Sequence, residues 1–258
     1  MRKSLSVFIA GLFCFNLANV RAQLGGGGGM GGPPGPRFDA AMAMLFGANN
    51  AFSATLELQS KTTTGGTVTM PGKVAFDAGK SRFELNMTEA KGGEMPPEAM
   101  AQIKNLGMDT SVIITRPDQK QAYLVYPGLK AYALIPIYKG AEVSGTNDLQ
   151  MEMTELGKEK VDGHPCVKHK AVVTDLQGEK NESLVWNATD MKDFPVKIQD
   201  AKSSAETAML FKDVKLSKPQ PGVFDLPSGF KRYDSVQGLM QEEVIPRMGA
   251  AMGAPPRQ

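Results

Sequence analysis

The chain has 258 residues, of which 22% are charged, and 29 basic side chains stand against 27 acidic ones for a formal net charge of +2. That balance gives no long-range pull on nucleic acid or on an anionic membrane surface. With 41% hydrophobic residues and only two cysteines, stability has to come from a packed core rather than a disulfide framework.

Residues 1–22 have the layout of a secretory signal: Arg2 and Lys3, an apolar run from Leu5 to Leu17, then Val20-Arg21-Ala22 before Gln23. The run is too short to span a bilayer, which argues against an integral membrane protein. Cys14 falls inside it behind Phe13, where lipoprotein acylation needs a small residue, and is expected to be removed with the leader. Cleavage also removes Arg2, Lys3 and Arg21, which turns the +2 into −1. Cys166 is then alone in the oxidising compartment, periplasmic or extracellular, that such a leader implies. Residues 23–37 contain GGGGGMGGPPGP, a flexible Gly/Pro tether, and residues 248–258 read as a similar disordered tail.

Between them the sequence predicts about eleven strands and three short helices. Asp39 caps a helix over Ala40 to Phe46 that stops at Gly47. From Ala51 to Ser60, Phe52, Ala54, Leu56 and Leu58 alternate with Ser53, Thr55, Glu57 and Gln59, the period-two pattern of a strand with one wet side. A strand at 68–76 follows, then DAGK as a turn and a second clean alternation at Arg82 to Met87, with Phe83 and Leu85 on one side. Pro97 and Glu98 open a helix to Leu106 with Met100 and Ile103 on one face. Strands are expected at 111–116, 121–126 and 130–137, the last two joined by the YPGLK turn, and at 150–156, 166–174, 182–187, 196–200 and 207–215. A helix over 234–247 stacks Val236, Leu239, Met240 and Val244 and ends near Pro246. Many strands with few helices describe a mainly β, α+β domain over 38–233.

Chemistry-bearing constellations are few. GHPCVKHK gathers both histidines and Cys166, but on a regular strand His164 and Cys166 point one way while His169 points the other with Val167 and Ala171. At most two or three ligands remain, so turn and strand roles are expected. Sixteen methionines include the pairs Met42/Met44 and Met151/Met153, whose thioethers suit Cu(I) but equally fill adaptable cores. His164, Cys166, Met151 and Met153 are therefore the residues on which a copper-handling alternative rests. No Gly-x-Ser-x-Gly elbow is present, and two histidines in one segment leave few ways to build a triad. The reading is of a non-enzyme that needs no cofactor. Trp186, beside Leu184 in SLVWNATD, is a core residue or an aromatic lining of a hollow.

The serial order of AFSATLELQSK, FDAGKSRFEL, YPGLKAYALIP, LGKEKVDGHPC, DFPVKIQ and VFDLPSGF resembles the periplasmic lipoprotein-carrier superfamily of the LolA, LolB and RseB type, over roughly residues 38–233. The resemblance implies an eleven-stranded, half-open antiparallel barrel whose concave apolar face is covered by short helices and accepts acyl chains. Carried onto this sequence, Phe52, Leu56, Leu58, Phe83 and Leu85 line the concave face, the helices with Met100 and Ile103 form its cover, and Trp186 reports occupancy. Phe224, Pro227 and Phe230 close the final edge. The expected partner is a lipid or the acyl chain of a lipoprotein, with no nucleic acid. The alternative is an envelope stress sensor or protein-interaction module that fills its own core and meets another envelope protein.

Overall fold

The computed structural model describes residues 40–62, 65–93, 96–135, 149–174, 178, 180–202 and 206–251. The expected leader, tether and Asp39 cap lie outside them. Helix α1 (Ala40–Leu45) precedes β1 (Ala51–Lys61), β2 (Thr67–Asp77) and β3 (Lys80–Asn86). Helix α2 (Pro97–Asn105) leads into β4 (Thr110–Arg116), β5 (Gln121–Tyr126) and β6 (Ala131–Ile135). Then come β7 (Gln150–Val161), β8 (His164–Thr174), β9 (Lys180–Ala188), β10 (Phe194–Asp200), β11 (Ala208–Lys215) and β12 (Lys231–Tyr233). Helix α3 (Val236–Leu239), a π turn (Met240–Val244) and α4 (Ile245–Ala251) finish the described chain.

All twelve strands form one open sheet in the order β12-β6-β5-β4-β3-β2-β1-β11-β10-β9-β8-β7. Every neighbouring pair is antiparallel except β12 with β6. This is the half-barrel that the resemblance implies, with one strand more. The eleven expected strands are all present; β12 is three residues long and parallel, too short to show a period. It is held by Lys231 N–H donating to Lys130 O at 2.9 Å.

Register defines two faces, because side chains directly opposite in adjacent strands share one. The inner face runs Phe52–Phe76–Ser81–Thr115–Ala122–Ile135 towards β6 and Leu56–Phe211 towards β11. It continues Leu58–Met209–Ile198–Val185–His169–Glu155 to the β7 edge. One large apolar cluster joins this face to residues of α1, α2, α3 and the π turn, with Leu239 and Val244 fully buried in it. A second, smaller cluster lies on the outer face, where Ala75, Val112, Ile114, Tyr123 and Val125 are buried under Phe224. Rather than closing an edge, the FDLPSGF segment straps this outer face, and Arg116 holds it through Asp225 at 2.9 Å and Phe224 O at 3.4 Å.

The C-terminal helix departs from expectation. It passes Pro246 and continues to Ala251 instead of giving way to tail. Pro246 lies inside an unbroken helical run from Val236 to Ala251, and the π turn just before it takes up the pairing that its missing N–H gives up. Ser235 caps α3, its Oγ accepting from Gly238 N–H at 3.0 Å.

Candidate functional site

The inner face has two ends of different character. Nearest α1 it is aromatic and dense. Phe46 stacks on Phe52 with centroids 4.8 Å apart and meets Phe194 and Phe211 edge-on at 5.4 and 5.5 Å. Phe52 in turn meets Phe194 at 4.9 Å. These rings are fully buried, as are Leu56 and Phe83. At this end the apolar surface is satisfied by the protein itself.

Towards the far ends of β1 and β2 the lining changes to flexible side chains. Leu58 lies opposite Met70 on one side and Met209 on the other, and both Leu58 and Met70 are half-buried. Gly72 sits on the same face between Leu56 and Leu85, where a Cβ would meet Glu84 O at 2.3 Å, so Leu85 packs where a side chain would stand. Helix α2 belongs to this end. Its chain leaves at Gly107 (φ +73), where a Cβ would meet Gly128 C at 2.6 Å, so only glycine lets the two backbones pass. Ile103 and Leu106 of α2 pack on the cluster, whereas Met100 is half-buried and lies outside it. Met42, Met44, Met70, Met108, Met151, Met191, Met209, Met240 and Met248 all belong to or pack on the inner-face cluster. Thioether chains repack at low cost around irregular shapes. Tyr126 is buried on this face too, and desolvation pushes its phenol up to about 12, which keeps it neutral.

Of the residues expected to line the hollow, Phe52, Leu56, Leu58, Phe83 and Leu85 share the inner face. Trp186 belongs to the same buried apolar cluster, but register sets it on the side of the sheet opposite Val185. The row Glu57–Leu210–Lys197–Trp186–Lys168 places it on the outer face. Its indole N–H donates to Glu159 Oε1 at 2.6 Å, and Lys168 and Lys197 sit over the ring at 4.7 and 4.2 Å. The indole hydrogen bond, then Lys168, hold the Glu159 carboxyl below its usual range, while burial lowers the Lys197 ammonium. The tryptophan is thus buried between the apolar cluster and its own charged neighbours.

The metal candidates are not assembled. His164 Nδ1 is 2.9 Å from Asp190 Oδ2, His169 Nδ1 is 3.0 Å from Asn187 Oδ1, and the buried Cys166 thiol donates to His164 O at 3.4 Å. Burial raises that thiol. Met151 and Met153 pair with Val173 and Ala171, which at ~3.3 Å per residue puts them roughly 15–25 Å from Cys166. Among the described residues no group of three or more His, Cys, Asp or Glu could hold a metal ion.

The carboxylate that sequence inspection missed is Glu243, in the π turn. It accepts from Tyr233 Oη at 2.6 Å, Lys231 Nζ at 3.1 Å and Arg247 Nη2 at 3.1 Å. These bonds, Tyr233 first, hold it at about 2. They fasten the C-terminal helix, and the Leu239 and Val244 it buries, to the β12 edge. An i,i+4 Glu–Arg spacing was visible in the sequence; the link to Tyr233 was not, since β12 went unseen.

No helix among the described residues is long and apolar enough to cross a membrane. The family model described as "Domain of unknown function (DUF4412)" matches residues 57–194, just over half the chain. No curated protein matches. Among solved structures, the chain is similar to a LolA superfamily protein from Nitrosomonas europaea, with 10% identity, a TM-score of 0.37, and 72% of this chain and 94% of that one covered. It is similar to a putative outer membrane lipoprotein-sorting protein domain from Vibrio parahaemolyticus, at 13% identity and a TM-score of 0.34 over 70% and 92% of the two chains. The lipoprotein LppX of Mycobacterium tuberculosis gives 10% identity and a TM-score of 0.34 over 76% and 91%.

Proposed function

We propose that this chain, which belongs to the DUF4412 family, is an exported, non-enzymatic protein that binds an apolar ligand, a lipid or the acyl chain of a lipoprotein, on the inner face of its half-barrel. One observation supports this most: the apolar wall of the inner face, closed by rings near α1, ends in half-buried, mutually adjacent Leu58 and Met70 with Met209 on the other side of Leu58. Such a wall accepts a flexible chain without a fixed shape. Each methylene taken from water is worth ~0.8 kcal/mol, so a dozen supply about 10 kcal/mol before ordering costs, enough for reversible carriage. The binding end is the one beside α2, since the aromatic end at Phe52 is closed by Phe46.

The half-barrel domain spans 38–233 behind a cleaved leader (1–22), and the half-buried Leu58, Met70 and Ile103 are the lining residues. Titrating the purified protein with a fluorescent fatty acid tests the reading. Saturable binding that an unlabelled long-chain fatty acid displaces is expected; emission that never saturates would count against it.

A second reading has its own observation. The rings of Phe46, Phe52, Phe194 and Phe211 fill the face nearest α1 completely, as in an envelope sensor or interaction module that carries no guest. It predicts no fatty-acid binding and a folded protein nonetheless.

A further inference from the structure

The two edges of the sheet are unlike. β12 is three residues long and is flanked by α3. β7 is twelve residues long, exposed along most of its length, and pairs only with β8 among the described residues. Unpaired edges of that length template the addition of another strand. Three large hydrophobic residues are exposed among those described, and two, Met153 (40%) and Leu156 (53%), lie on this strand.

A bulge between Glu155 and Gly157 inserts Leu156 and shifts the alternation. Before it, Met153 and Glu155 lie on the inner face opposite Ala171 and His169; after it, Lys158 lies there opposite Val167, and Glu159 is on the outer face. We propose that β7 pairs antiparallel with β7 of a second copy of this chain, in the register that sets Glu155 opposite Lys158 of the other copy. Because of the bulge, that register keeps inner residues against inner ones: Met153 meets the second Lys160, and Thr154 meets the second Glu159 on the outer side. The two-fold axis makes the Glu155–Lys158 pair twice. Leu156 falls opposite the second Gly157, beside which a Cβ would find open space. One residue of shift either way sets inner side chains against outer ones, and the next shift down sets Glu152 against Glu159.

Lysines on an edge ordinarily deter strand addition. Here they deter strands of arbitrary sequence and admit one that brings a carboxylate to Lys158. The pairing is independent of what the inner face binds.

Sedimentation equilibrium of the purified protein over a dilution series, with hydrogen exchange of β7 amides, tests it. Twice the mass of one chain is expected, with amides of 152–160 protected only as the dimer forms. Glu155→Lys sets like charges opposite twice and should weaken association by about tenfold or more, and the exchange Glu155→Lys with Lys158→Glu should restore it. Both positions are exposed, so the fold is kept. A monomer at every concentration up to about 100 μM, or a dimer indifferent to Glu155→Lys, overturns the proposal.

Discussion

Phe46→Ala removes the ring through which α1 grips the sheet. Phe46 is 1% exposed and touches three other rings, stacking on Phe52 at 4.8 Å and meeting Phe194 and Phe211 edge-on. Removing a buried phenyl costs about 3–5 kcal/mol from lost transfer and the cavity left behind, and the aromatic geometry favours the upper half of that range. α1 is only six residues long and has little helical stability of its own, so partial undocking should relieve some strain and bring the expected loss to about 4 kcal/mol. For a domain of this size that is a fall in Tm of roughly 8–16 °C. Urea unfolding followed by far-UV circular dichroism measures it, with an unchanged m-value showing that the same surface unfolds. A loss under about 1 kcal/mol would refute the reasoning, because the aromatic end would then not be a packed core. Fatty-acid affinity should change far less than stability, since the guest sits at the other end.

Leu58→Asn should do the reverse: half-buried, it should cost about 1–2 kcal/mol of stability, while weakening fatty-acid binding about tenfold in the same titration. Glu243 is held at about 2, below its ordinary 4.5, so its clamp contributes fully above that ordinary value and is lost as pH falls towards 2. Proteolysis of the C-terminal helix should accelerate between pH 4.5 and 2, and Glu243→Gln should remove that dependence and cost about 1–2 kcal/mol at neutral pH. Trp186 emission should ignore added fatty acid because register sets the ring on the face away from the guest, and should shift on Glu159→Ala, which removes the acceptor of its indole N–H. A fatty-acid-dependent Trp186 signal would mean that the two faces have been misassigned.

Much of this molecule is written in side-chain alternation. The Ala51–Lys61 and Lys80–Asn86 strands each show one dry side, and the structure buries that side. Turn chemistry located YPGLK, which forms a 3-10 turn with Lys130 at φ 50. Features set by long-range register were not legible. Which way Trp186 points follows from the pairing of β8, β9 and β10, with an irregularity between Pro195 and Lys197, and no local pattern encodes that. β12 exists because Lys130 and β6 offer it backbone partners. Pro246 reads as a stop signal locally, yet a wider turn ahead of it lets the helix resume. The same limit hid Glu243, whose donors come from β12 and α4.

The most direct measurement is mass spectrometry of the organic extract of the protein purified gently from its native host. The account predicts an acyl-bearing molecule in near one-to-one ratio with the chain, depleted in the Leu58→Asn variant. An extract with no acyl species, from protein that also fails to take up the fluorescent fatty acid, would contradict it.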